Sequence, residues 1–284
     1  MRVLILSAGL SDLGPAEAGA LVGRAWADLG HQVALVPLGI GGQGLADAVS
    51  GIPDVVLLQP GAGESSASVG RSLRVALDAG TVLVDLTGDC PDDAGAGLLA
   101  ELEGTERPPG QRLVGVVRSD ELDAPLLGVR GVAARRAYAS GGSDVGAALS
   151  GDAALARLAS DIGLPDPPPG AGAGNGLALG IMALGGVVRT GPTVVGELVA
   201  IEASLAAADL IVLVAPTLDF GGAGIEEARA AAAWAQQGLL PCIALATRVQ
   251  ISSRELRTFG VESAYELGTD VPVAASRVAR TWSW

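Results

Sequence analysis

The chain has 284 residues and a formal net charge of -13, from 31 acidic side chains against 18 basic ones, every one of them arginine. An acidic surface repels phosphate backbones and anionic lipid, so nucleic acid and membrane surfaces are not expected partners. The complete absence of lysine excludes chemistry that needs a side-chain amine, such as a Walker-A lysine, a Schiff base or the lysine of a protein kinase.

Hydrophobic residues make up 49% of the chain and aromatic residues only 3%, so the core has to be built from Ala, Val, Leu and Ile. The N-terminal MRVLILS starts directly as a strand, with one Arg and no cleavage site, and predicts no signal peptide. Short runs rich in Val, Ile and Leu follow at Val3–Leu6, Val33–Leu38, Val55–Leu58, Val82–Leu86, Leu113–Val117, Leu210–Val214 and Ile243–Ala246. Runs without polar alternation read as strands buried on both faces, hence a parallel sheet. Helical stretches are predicted at Pro15–Leu29, Ser68–Ala79, Asp152–Ile162, Val194–Ala207, Ala223–Gln237 and Ser252–Phe259. The alternation predicts an α/β fold. Pro165–Gly172 reads as a linker or stiff crossover. The longest apolar stretch, Gly176 to Val188, stops at Arg189, well short of the roughly 20 residues that span a bilayer. It reads as a buried helix, and the tail with Trp282 and Trp284 as frayed. Two cysteines, Cys90 and Cys242, without a CxxC and beside a single His, argue against a zinc site and suit the reducing cytoplasm.

Three motifs bear on chemistry. Gly39-Ile40-Gly41-Gly42-Gln43-Gly44 matches GxGxxG between a strand and a helix, where glycines let the backbone approach a phosphate. It follows the second strand rather than the first, so a tight strand-to-helix turn is the plainer reading. Asp219-Phe220-Gly221 spells a protein-kinase metal motif, but without lysine or HRD it is coincidence. His31 reads as structural. The segment from Asp85 to Gly97 gathers Asp85, Asp89, Asp92 and Asp93 at the end of a strand and the start of a helix, where α/β proteins place ligands. Asp89, Asp92 and Asp93 could hold Mg²⁺. Alternatively, Asp92 caps the helix and Asp93 complements its dipole.

Taken together, the pattern resembles the bacterial glycerate kinases, ATP-dependent enzymes of two α/β domains. Val36–Gly44 resembles the family's "PLADGGEGT", and Gly70–Leu99 its "IRAALDAG" and "GGSATNDGGAGLL". Pro125–Gly131 is similar to "NPLLGPNGAA", Gly172–Leu177 to "GAAGGLG", and Ala208–Asp219 to "GADLVITGEGRLD". The chain is shorter than typical members, mostly between Ser50 and Ser65. The resemblance implies a flavodoxin- or Rossmann-like parallel-sheet domain from residues 1–54 and 190–284, and a smaller inserted α/β domain from 55–189. It also implies a ligand cleft between domains, with Gly41, Gly42, Gly44, Gly88, Gly95, Gly97, Gly174 and Gly176 against the ligand.

The departures concern charge. The family's "PDSFKGS" has become Ser7–Ser11, without its lysine and aspartate. The Asp and Glu of "DGGEG" align with Ile40 and Gln43. The Ser and Asn of "GGSATND" align with Asp89 and Asp92, and only the Asp remains, as Asp93. The lysine of "GPQKGA" falls near Ser140, and the Glu of "TGEGRLD" on Ala215, while its Asp remains as Asp219. No Arg occupies these positions. The resemblance therefore implies a glycerate-kinase-like protein with impaired or lost phosphoryl transfer, retained for binding a ligand or a protein partner. The alternative is an active kinase on D-glycerate or a related small hydroxy acid, using ATP and Mg²⁺, with Asp93 and Asp219 as catalytic residues. A third reading is an interaction module without a small ligand.

Overall fold

In the computed structural model, residues 1–284 are described except 62, 140, 142, 143 and 220–222. The chain opens with β1 (Arg2–Ser7), α1 (Pro15–Ala27), β2 (Gln32–Pro37) and α2 (Gly42–Val49). It then leaves this unit and builds a second one from β3 (Val55–Leu58), α3 (Ala67–Val75), β4 (Thr81–Asp85), α4 (Ala96–Glu101), β5 (Arg112–Val117), α5 (Val132–Ala139), α6 (Val145–Asp161), α7 (Leu177–Ala183) and β6 (Val187–Thr190). It returns through α8 (Gly191–Leu198), α9 (Ile201–Ala207), β7 (Leu210–Leu218), α10 (Ala223–Gly238), β8 (Cys242–Val249), α11 (Ser253–Phe259), β9 (Ser263–Glu266) and α12 (Val271–Thr281). Two units result, Met1–Ile52 with Gly191–Trp284, and Pro53–Thr190. Among the described residues, no helix is long and apolar enough to cross a membrane.

The first unit has a wholly parallel sheet in the order β2-β1-β7-β8-β9. Counted within the unit this is the flavodoxin-like order 2-1-3-4-5, with its switch point between β1 and β7. β1 is central and pairs on both sides, Val3 with Val33 and with Leu210. That is why its residues after Arg2 are all buried and carry no alternation. One face packs Val3, Ile5, Val212 and Val214 against Val22 and Trp26 of α1 and Ala275 and Val278 of α12. α10 brings a buried stripe of Ala228, Ala231, Ala232 and Ala235, at helical spacing, and packs against β7 and β8. The small side chains let the helix lie close to the sheet, which is how a chain poor in aromatics fills this layer. The second unit has a parallel sheet in plain chain order, β3-β4-β5-β6. Its core joins Val82, Val84, Leu113 and Val117 to Leu73 of α3, Leu98 of α4 and Ile181 of α7.

Several expectations are corrected. The helix predicted across Val194–Ala207 is two helices, because Ala200 takes a left-handed conformation with φ 48 and starts α9 afresh. The apolar stretch from Gly176 is not one helix: α7 ends at Ala183, Gly185 turns the chain with φ 73, and β6 begins at Val187. α6 starts earlier than expected, because Asp144 caps it by accepting from the Ala147 N–H at 2.9 Å. Trp282 is docked, its indole N–H donating to the Tyr265 hydroxyl at 2.7 Å and its ring packing against the first unit's core, whereas Trp284 is exposed. As expected, α11 starts after Ser252, which caps its N-terminus with Glu255 in a capping box.

One buried acid stands apart from the apolar packing. Glu227, in the first turns of α10, is buried, and its Oε2 has no hydrogen-bond partner among the described residues. Burial, with the adjacent charge of Glu226 adding to it, pushes its carboxyl up to about 8. The unfolded carboxyl ionises near 4.5, whereas the folded one holds its proton to about 8. Its contribution to stability is therefore full below 4.5 and is lost as the pH rises to about 8. Glu227→Gln is expected to flatten the fall in melting temperature over this window and to raise the melting temperature at its alkaline end. Parallel melting curves for the two proteins across the window would contradict this assignment.

Candidate functional site

The C-terminal end of β4 leads into the carboxylate-rich segment. Asp85 closes a turn, accepting from the Thr87 N–H at 3.0 Å and the Thr87 hydroxyl at 2.6 Å. Asp93 is the most heavily bonded carboxylate of the segment. Its Oδ2 accepts from the Ser65 hydroxyl at 3.0 Å, the Ser66 N–H at 3.1 Å and the Ser66 hydroxyl at 2.8 Å, and its Oδ1 from the Gly95 N–H at 3.2 Å. The Ser66 oxygen in turn accepts from the Leu98 N–H at 2.8 Å, inside α4. Partial burial alone would raise the Asp93 carboxyl, but the hydrogen bonds from Ser66, Ser65 and Gly95 outweigh it and hold the group below its ordinary value. Asp93 thus ties the start of α3 to the start of α4.

The glycines around it are points of close approach. A Cβ on Gly95, at φ +83, would lie 2.8 Å from the Gly180 Cα of α7, and one on Gly97 would lie 2.9 Å from the Asp93 Oδ2. One on Gly174 would lie 3.1 Å from the Cys90 Sγ, and one on Gly176 would lie 3.1 Å from the Ala94 Cβ. The Asn175 side chain, at φ 56, donates to the Cys90 carbonyl at 3.1 Å. The structure therefore brings the segments around Gly95, Gly97, Gly174 and Gly176 together; Gly88 has open space beside it. Cys90 is no nucleophile: burial, reinforced by Glu121, Asp85 and Asp89, pushes its thiol up to about 12. In the other unit, Gly41, Gly42 and Gly44 lie at the start of α2, in the expected strand-to-helix turn. There a Cβ on Gly39 would fall 2.3 Å from the Gly44 carbonyl carbon. Asp219 follows β7, while Phe220, Gly221 and the lysine-equivalent Ser140 lie outside the described residues.

Among the described residues, no group of three or more His, Cys, Asp or Glu side chains is placed to hold a metal ion. The oxygens of Asp93 are turned onto Ser65, Ser66 and Gly95. A cation of the protein's own occupies the neighbourhood instead. Arg136 of α5 donates to the Asn175 carbonyl at 2.8 Å, and its Nε is buried without an acceptor. Burial lowers its pKa, while the carboxylates of Asp92 and Asp93 act to raise it. Arg136, Asp92 and Asp93 line one cavity of about 580 Å³, whose other walls include Ala133, Ala137, Ala147, Ala154, Leu155 and Leu158. The sequence reading missed Arg136, because an Arg-Arg pair on an Ala-rich helix reads as a solvated face. Its one signal is its place, a single turn before the position of the absent lysine.

A pair of parallel α/β units, one of them flavodoxin-like, with ligand-type glycine turns at strand ends, defines the class. Comparison with known proteins supplies the family. Residues 112–282 match the model of the glycerate kinase family, and the chain belongs to that family. It is 31% identical over 211 residues to uncharacterised proteins of Mycobacterium bovis and Mycobacterium tuberculosis, an alignment that covers 71% of this chain. The alignment spans 55% of those relatives, so the chain matches about half their length. The crystal structure of a "putative glycerate kinase 2" from Salmonella typhimurium LT2 superposes with a TM-score of 0.74 at 18% identity, covering 99% of this chain and 98% of that one. This likeness shows the shared fold.

Removing the Asp93 carboxylate leaves the Ser66 N–H and the Gly95 N–H without their acceptor. Asp93→Ala is expected to cost about 2 kcal/mol in urea unfolding at neutral pH. This contribution is present above the ordinary carboxyl value of 3.8 and is lost as the pH falls through the lowered folded value. The gap between parent and variant should therefore begin to close below 3.8. A gap that is absent at neutral pH, or that persists unchanged in acid, would show that Asp93 does not hold α3 to α4.

Proposed function

We propose that this glycerate kinase family member has impaired or lost ATP-dependent phosphoryl transfer to a small hydroxy acid, and that it acts by binding a ligand or a protein partner in a cytoplasmic setting. The observation that carries the reading is the loss of every lysine, together with Asp93, whose carboxylate is already taken up by Ser65, Ser66 and Gly95. Phosphoryl transfer is catalysed by positioning and by neutralising charge on the transferred oxygens. Here a neutralising ammonium is gone, and carboxylates stand at Asp89 and Asp92 where the family has Ser and Asn. One added carboxylate about 5 Å from a phosphate opposes it by roughly 3 kcal/mol at an effective dielectric of 20. Arg136 is no equivalent of the ammonium: its guanidinium is a planar fork rather than a point charge, and it faces two carboxylates.

That no group of three or more His, Cys, Asp or Glu placed to hold a metal ion is found among the described residues supports this reading. The family's nucleotide and D-glycerate are the natural probes. In a steady-state assay with ATP, magnesium and D-glycerate, the expected outcome is no ATP consumption above the glycerate-free background. Robust magnesium-dependent turnover would overturn the reading and favour the active kinase. Asp93→Asn and Asp219→Asn would then abolish it if those residues carry the chemistry.

A further inference from the structure

We propose that the cavity between α5 and α6 binds an amphipathic zwitterion, an α-amino acid with an apolar side chain, its carboxylate on Arg136 and its ammonium on Asp92. The inference rests on the binding half of the functional reading and is independent of the loss of phosphoryl transfer.

Charge decides the polar end. Asp93 is saturated by its four hydrogen bonds and offers little to a ligand. Asp92 is exposed, and its carboxylate accepts no hydrogen bond and makes no ion pair among the described residues. Arg136 faces both aspartates, yet its one hydrogen bond among the described residues goes to the Asn175 carbonyl, and its Nε has no acceptor. The other N–H groups of its guanidinium make no hydrogen bond to a described residue and can donate to an anionic oxygen. A ligand that is only anionic accepts from them but lies against the two carboxylates that line the same cavity. A ligand that is only cationic pairs with Asp92 but leaves the donors of Arg136 unfilled. A zwitterion satisfies both, as a carboxylate and an ammonium on one carbon are close enough to reach neighbouring partners.

Size and wall chemistry decide the other end. The cavity holds about 580 Å³, far more than a three-carbon hydroxy acid fills. Apart from Asp92, Asp93 and Arg136, the described residues that line it are apolar, among them Ala133, Ala137, Leu155 and Leu158, and none of them offers a side-chain partner to a hydroxyl-rich ligand. Ligand sites of this size commonly combine apolar walls with a few polar groups that fix orientation. An aliphatic side chain suits these walls, and a polyol does not.

The test is titration calorimetry on the full chain with L-leucine, with isocaproate, which lacks the amine, and with isoamylamine, which lacks the carboxylate. Leucine is expected to bind, and each truncated analogue to bind about tenfold more weakly or worse, the loss of one charged hydrogen bond. Asp92→Asn, a change at an exposed position, should remove the preference for leucine over isocaproate. Arg136→Gln should remove the preference over isoamylamine. Should Arg136→Gln fail to fold, Ala147→Phe is the second variant: it fills the cavity from an exposed position and should abolish leucine binding. No heat with millimolar leucine, isocaproate binding as tightly as leucine, or undiminished binding to Ala147→Phe would each overturn the proposal. The titrations contain neither nucleotide nor glycerate. Their failure leaves the phosphoryl-transfer reading standing, and ATP turnover with D-glycerate would leave this site standing.

Discussion

The second unit depends on one carboxylate. Asp93 receives four hydrogen bonds, three from Ser65 and Ser66 and one from the Gly95 N–H, and Ser66 passes the connection on to Leu98. The segment before α3 and the start of α4 are thereby fixed to each other. Around this junction the backbone comes so close at Gly95 and Gly180 that no side chain fits between α4 and α7. An anionic group bonded this way is stabilised in its charged form and held in place. The same carboxylate is thus a poor candidate for a group that must exchange partners during a reaction.

Two kinds of residue carry the likeness to the glycerate kinases, and they behave differently. The glycines at 95, 174 and 176 meet other segments within contact distance, so their small size serves the approach of α4, α7 and the loop between them and β4. The charged positions differ more, although Asp93 and Asp219 remain. A fold can keep its packing constraints where its charged positions vary, because close approach is set by sterics rather than by charge.

Much of the architecture was legible in the sequence because it follows from period and punctuation. The strands β1, β4 and β7 contain unbroken Val, Ile and Leu runs, β5 and β8 apolar runs interrupted only by small residues such as Gly115 and Ala244, and Pro15 and Gly30 bracket α1 and its turn. What escaped had no local signal. Ala200 adopts a left-handed conformation that alanine disfavours, imposed by tertiary context rather than by the residue. β6 is four residues long and hidden at the end of an apolar stretch, and β9, Ser-Ala-Tyr-Glu, carries no apolar run at all. The carboxylates at the end of β4 were visible, but their partners were not. Ser65 and Ser66 lie 28 and 27 residues from Asp93, and Arg136 reaches the site only because α5 folds back beside Asn175.

The two sheets differ in how far the chain must travel to close them. In the second unit every strand pairs with the next one in sequence, β3 with β4, β4 with β5 and β5 with β6. In the first, the central strand β1 must wait for β7, with the whole second unit strung between them. Loop closure over that distance is entropically dearer and slower than pairing between neighbours. During synthesis the inserted unit can finish its sheet while β1 and β2 are still a two-stranded ribbon with an open apolar edge. Strand β1, made before the inserted unit, is then completed after it, and the exposure to misassembly is concentrated at its unpaired edge.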